Sequence, residues 1–234
     1  MSAPRHSWKS FLHYVLPSVS AMLLFSSYTI VDGVFVSKGV GDLALAGVNI
    51  ALPFINFLSG VAILLSMGTS ILCAFALGEG NHDRAERIFS QTAAVIVVLS
   101  VLITIAVAIF AEPLAALLGA GPQTIGYSAQ YLHVVCLFSL CFILSYCLEV
   151  MVKVDGAPHL AMFGVGISFL INVGLDYLFI MVWHWGVFGA ALATGLAQLG
   201  SLLFFLRYFL SGKSNLRFRK FKPHLGELKQ IMPL

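Results

Sequence analysis

Charge is scarce in this chain. Asp, Glu, Lys and Arg make up 10% of its 234 residues, against about a quarter of a soluble domain. Apolar residues make up 59%, and the mean hydropathy is +0.96. So few charges do not cover a water-facing surface, which excludes a soluble enzyme and a disordered tail. They also exclude a nucleic-acid module, although the pI is 8.7. Cysteine is scarcer still. Cys73, Cys136, Cys141 and Cys147 show no CxxC spacing for metal or redox work. Each falls in an apolar stretch, where a thiol packs as a small apolar group. HExxH, GxSxG and P-loop signatures are missing too, so nothing supports zinc chemistry, a serine nucleophile or nucleotide binding. What remains is an all-α polytopic membrane protein.

Long uncharged runs are what the chain has instead. They hold 22 residues between Lys9 and Asp32, 36 between Asp42 and Glu79, and 24 between Arg87 and Glu112. Three more follow: 36 residues from Glu112 to Glu149, 20 from Asp155 to Asp176, and 30 from Asp176 to Arg207. A helix needs about 20 apolar residues to cross about 30 Å of hydrocarbon. The runs predict six transmembrane helices, at 10–37, 45–77, 88–111, 127–152, 158–183 and 187–210. The first is too long for a signal-peptide core, and no small-residue cleavage site follows it, so it stays as a helix.

Basic residues set the orientation, because they collect on the cytoplasmic side. Twelve of the 13 Lys and Arg fall in the N-terminus, the second and fourth loops and the tail, and Lys38 alone lies opposite. Both termini are therefore expected in the cytoplasm. Trp183 and Trp185 flank His184 at the outer end of helix 5, where amphipathic rings anchor at the headgroups. A metal role for His184 finds no partner residue. The basic–aromatic run Arg217-Phe-Arg-Lys-Phe-Lys222 directly follows a membrane helix. There it fixes topology and touches anionic lipid, and the stretch around it reads as a solvated linker rather than a nucleic-acid patch.

Two acids stand inside the predicted spans. Asp32 lies six residues before Lys38, Asp176 seven before Trp183, and Thr194 eight after Gly186. At 1.5 Å per residue all three fall about 10 Å below the outer ends of their helices. Tyr28 and Asn172 each precede an Asp by four residues, so each shares its face one turn deeper. A carboxylate in a spanning helix costs about 2.5–3.5 kcal/mol and normally faces the bundle interior, on an ion or substrate path. An all-oxygen cluster suits a hard monovalent cation or a proton. Sodium would take its oxygens from Asp32, Asn172, Asp176 and Thr194, whereas a proton needs only one of the carboxylates. Glu149 lies much deeper, four residues before Lys153. It reads equally as half of a plain i,i+4 pair and as a second cavity acid.

At these residues the chain resembles the multidrug and toxic compound extrusion (MATE) transporters, especially the damage-inducible and staphylococcal-type exporters. The matching stretches begin with Tyr28-Thr-Ile-Val-Asp32-Gly33, Gly39-Val-Gly41 and Ala46-Gly-Val-Asn49-Ile-Ala-Leu-Pro53. They continue with Met67-Gly68, Leu77-Gly78-Glu-Gly80-Asn81 with Ala85, and Asp155-Gly156-Ala-Pro158. Asn172-Val-Gly-Leu-Asp176 and Gly186-Val-Phe-Gly189-Ala-Ala-Leu-Ala-Thr194 complete the set. Each motif alone is weak, and their order across nearly the whole chain is specific. The resemblance implies that Pro17 marks a bend of helix 1. It also implies that Tyr28, Asp32, Asn172, Asp176 and Thr194 bind the coupling cation, H+ or Na+, with no other cofactor. Two positions depart from the family pattern: Tyr177 replaces a proline, and Glu149 replaces a polar residue that is often asparagine.

MATE transporters have twelve helices in two six-helix lobes, so the chain reads as the N-terminal lobe. Residues 1–211 form that lobe, 212–226 a basic cytoplasmic linker, and 227–234 the start of a second lobe. Leu228-Lys-Gln-Ile-Met-Pro233 repeats the spacing of Leu12-His-Tyr-Val-Leu-Pro17, and parallel repeats are a documented transporter design. The implied function is ion-coupled antiport of cationic or amphipathic drugs out of the cell, across the plasma membrane. The partners implied are lipid and the missing lobe, or a second copy of the chain. Two rivals remain. A lipid-linked oligosaccharide flippase of the same superfamily usually carries cationic residues in its cavity, where this chain has acids. An intramembrane aspartyl protease calls for Gly-x-Gly-Asp, where this chain reads Gly174-Leu-Asp176.

Overall fold

The computed structural model describes residues 8–212, 214 and 216–218, with only the backbone for residues 8–14, 17, 18, 21, 22, 24, 25 and 28. Among the described residues seven α-helices follow one another: α1 (Trp8–Gly39), α2 (Asp42–Gly78), α3 (His82–Leu117), α4 (Ile125–Cys136), α5 (Ser139–Val154), α6 (Pro158–Asp176) and α7 (Gly186–Leu210). A π-helical stretch, Tyr177–Val182, continues α6. The connections α1–α2, α2–α3 and α5–α6 are two or three residues long, which makes those helices antiparallel neighbours, whereas the two-residue α4–α5 connection is a bend of 56°. One end of the bundle carries Arg84, Lys153 and Arg207, and the other carries Trp183 and Trp185. We refer to them as the basic end and the tryptophan end.

Among the described residues, α2, α3, α6 with its π extension, and α7 are each long and apolar enough to cross a membrane. Together α4 and α5, bent by 56° where they meet, pass the same test of length and apolarity, as a broken span or a re-entrant loop. The sixth expected span falls on α1, whose 32 residues measure about 48 Å. The chain is a multi-pass membrane protein.

Where a helix was expected over 127–152, there are two, and the break has an internal remedy. Freed backbone groups at membrane depth need partners inside the protein. Here the Cys136 carbonyl accepts the Thr104 hydroxyl of α3 and the Ser139 hydroxyl, both at 2.7 Å. Beside the break, Gly195 of α7 leaves the room that the Phe138 ring takes. Helix α3 also outruns its expected 88–111. At its start the Asn81 side chain accepts the Arg84 amide at 3.0 Å, an N-cap that the polar opening hides from a hydropathy reading. Near its end Phe110 leaves helical geometry, three residues before Pro113, which cannot donate to the Ile109 carbonyl.

Helix α5 is the axis of the bundle. Ile143, Leu148, Met151 and Val152 are fully buried, and α5 packs against α2, α3, α6 and α7. The other side of the lobe is built by α6, which packs on α1 and α7. Close approach depends on small residues. Gly164 of α6 leaves space for the Phe205 ring, and Ser128 of α4 donates to the Gly47 carbonyl of α2 at 2.8 Å. All four cysteines are free and buried.

The start of the linker differs from the solvated expectation. Leu216 is fully buried, and the Phe218 ring lies 4.7 Å from Phe89 and 6.4 Å from Phe209. Phe218 thus rests against Phe89 of α3 and Phe209 of α7. The repeated motif at 228–233 lies outside the described residues.

Candidate cation-coupling site

Four helices send polar side chains to one place near the tryptophan end. Asp32 comes from α1, Asn172 and Asp176 from α6, Thr194 from α7 and Tyr131 from α4. Asn172, Asp176 and Thr194 are fully buried, Tyr131 is 2% exposed and Asp32 8%. Asp176 lies against both Asp32 and Asn172. The hydroxyls of Tyr131 and Thr194 are hydrogen-bonded, and Tyr131 stands within the field of both carboxylates. Asn172 and Asp176 share one face of α6 because four residues make about one turn. Directly after Asp176 the helix widens into its π segment, with the Trp183 amide donating to the Leu178 carbonyl at 2.9 Å. Such segments cluster at functional sites.

The pocket is polar beyond its own means. Asp32 Oδ1, both carboxylate oxygens of Asp176 and both amide atoms of Asn172 are buried with no hydrogen-bond partner. Buried polar groups in native proteins are nearly always paired, and each one left unpaired costs about 1–3 kcal/mol. The three side chains approach one another closely, yet none of these five atoms meets strict hydrogen-bond geometry. Asp32, Asn172, Asp176 and Thr194 present oxygens, the donor type of hard cations. Among the described residues no three of His, Cys, Asp and Glu gather as a metal-holding group. Two carboxylates with neutral oxygens match a small positive charge, and either a proton or a sodium ion fits that donor set.

Of the expected residues, the structure thus brings together Asp32, Asn172, Asp176 and Thr194. Tyr28 and Pro17 lie outside the residues whose side chains are described. Glu149 is not in the pocket. It sits on α5 toward the basic end, where Lys153 donates to its Oε1 at 2.7 Å. Tyr131 was missed. Its only sequence signal is a phenol in an apolar helix, since a buried hydroxyl must find a partner.

The MatE family profile matches residues 17–178, more than half of the chain and including Asp32, Tyr131, Asn172 and Asp176. The chain belongs to the MatE family. Among curated relatives it is similar to the multidrug export protein MepA of Staphylococcus aureus (strain bovine RF122 / ET3-1), 26% identical over 229 residues. That match covers 97% of this chain and 51% of the relative, so the chain spans about half the length of the curated relatives it matches. Among solved structures it superposes on an outward-facing multidrug resistance MATE transporter with TM-score 0.86 and 25% identity, covering 94% of this chain and 49% of the other. A Pyrococcus furiosus transporter of the MOP superfamily superposes with TM-score 0.87 at 25% identity, covering 95% and 50%. That transporter is described as having a binding pocket of reversed polarity and a different function. MATE multidrug exporters are transporters and not enzymes, which removes the aspartyl-protease reading.

Proposed function

We propose that this MatE chain is the cation-coupling lobe of an exporter for cationic or amphipathic drugs, acting with a second lobe at the plasma membrane. The observation that carries the reading is the set of five unpartnered polar atoms around Asp32, Asn172 and Asp176. Drug enters from the cytoplasm or inner leaflet, and rocking of the lobes exposes it outside. There a proton or a sodium ion takes the carboxylates and drug affinity falls. A tenfold fall corresponds to about 1.4 kcal/mol, well within what two buried carboxylates supply. Only a difference in affinity between the two states drives the cycle. Acids in the pocket favour cationic cargo over the phosphate of a lipid-linked sugar, which separates this reading from a flippase.

Substituting Asp176→Asn keeps the volume and removes the charge. In the transporter carrying this lobe, ion-driven efflux of ethidium should fall to background while the protein still inserts. Unchanged efflux would sink the assignment. Dye efflux from proteoliposomes under a sodium gradient alone, and then a proton gradient alone, identifies the coupling ion.

A further inference from the structure

Beyond the pocket, toward the basic end, a partly buried polar pair joins α5 to α7. Gln198 follows Thr194 by four residues on α7, on the same face and about 6 Å nearer the basic end. Its Oε1 accepts the Ser145 hydroxyl of α5 at 3.1 Å, and Ser145 is 4% exposed. Glu149 follows Ser145 by four residues on the same face of α5. Helical side chains lean toward the helix N-terminus, so the Glu149 carboxylate reaches back toward Ser145. Lys153 reaches back in turn and donates to Glu149 Oε1 at 2.7 Å. From the pocket inward the series is therefore Thr194 hydroxyl, Gln198 carbonyl, Ser145 hydroxyl, Glu149 carboxylate. The steps between its members are single helical turns and one hydrogen bond.

We infer that the Ser145–Gln198 pair is an inner station for the coupling cation, between the acidic pocket and Glu149, on a route that runs along this one lobe. The inference rests on the coupling role proposed for Asp32 and Asp176. The one Ser145 hydroxyl proton points between Gln198 Oε1 at 3.1 Å and the Phe142 carbonyl at 3.3 Å, which leaves the lone pairs of its oxygen, and one of Gln198 Oε1, for a hard cation. A cation leaving the pocket toward the cytoplasm meets these oxygens next, and then a carboxylate. At Glu149 it takes the place of the Lys153 ammonium, which the solvent near the basic end receives. Sodium and hydronium share this chemistry. In a membrane core, polar side chains in spanning helices that are arranged in series mark ion pathways.

The experiment uses the complete transporter in proteoliposomes, with dye efflux driven by a sodium gradient in one arm and a proton gradient in the other. The arm that drives efflux names the cation. Gln198→Leu removes the oxygen at similar volume, and Ser145→Ala is the milder variant in case the first does not insert. Each should raise the half-saturating concentration of the coupling cation about tenfold, equivalent to 1.4 kcal/mol. Dye binding without a gradient should stay at the wild-type level, and Ser145→Thr should restore wild-type saturation. Asp176→Asn is run alongside. If both station variants keep wild-type saturation and lose only thermal stability, while Asp176→Asn abolishes efflux, the pair is a structural staple and the station is refuted. If Asp176→Asn itself still couples, the pocket reading fails, and the station fails with it.

Discussion

Tyr131 shows how one hydroxyl joins two helices at a charged site. Its ring is buried in α4, and its hydroxyl is bonded to Thr194 of α7 within reach of both carboxylates. Tyr131→Phe keeps the ring and deletes the bond, leaving Thr194 to find another partner. Loss of one buried hydrogen bond costs about 1–3 kcal/mol when a partner is left unsatisfied. Ethidium efflux by the Phe variant should need a coupling-ion concentration several-fold to a hundredfold higher, with expression unchanged. Lys153→Met tests the opposite situation. Its pair with Glu149 has side chains 32% and 15% exposed, and a partly exposed i,i+4 pair contributes roughly 0.5 kcal/mol. The melting temperature of the detergent-solubilised protein should scarcely move, and a fall of many degrees would show that the pair anchors the helix.

At the scale of elements, the lobe rests on one broken helix and one widened one. The break between α4 and α5 is held by hydroxyls on the Cys136 carbonyl and by the Phe138 ring over Gly195. A β-carbon at Gly195 would meet the body of that ring, with three of its carbons in the way. Overpacking of this kind costs about 1–3 kcal/mol. Gly195→Ala should lower the thermal unfolding midpoint, and pairing it with Phe138→Leu should recover part of the loss. A Gly195→Ala protein as stable as the wild type would mean that the break is set elsewhere. The widened helix follows Asp176 directly and ends in the stacked rings of Phe179, Trp183 and Trp185, with centroids 4.8–5.3 Å apart. Those rings brace the helix on the tryptophan-end side of the pocket.

The chain spans about half the length of the relatives it matches. Alternating access moves one lobe against another around a shared site, and a lobe by itself has no partner to move against. Expressed alone, this chain should insert with both termini in the cytoplasm and export nothing. Reporter fusions at each end and dye efflux from intact cells check the two halves of that statement. Co-expression with a second lobe should restore efflux, because the contacts between lobes need no covalent link. Strong efflux from the chain alone, with crosslinking that traps a dimer, would show instead that two copies take the places of the two lobes.

Hydropathy determined the class of this protein, and the isolated acids determined where to look. A carboxylate in an apolar run is costly enough that Asp32 and Asp176 stood out without any structure, and helical periodicity placed Asn172 beside Asp176. Counting residues from the helix ends also put Thr194 at their depth. That arithmetic works because a helix rises by about 1.5 Å per residue and every span is tied to one slab of membrane. It does not say which faces meet. Tyr131 entered the pocket through the packing of α4 on α7, and the Ser145–Gln198 bond through that of α5 on α7. The break at Leu137 and Phe138 was invisible because no proline or glycine marks it. Thr104, Ser139 and Gly195, distant in sequence from one another, satisfy and accommodate it. The packing of residues 216–218 was hidden likewise, since charge forecasts solvent while Phe218 finds Phe89 and Phe209 only once those two rings are brought together by the fold.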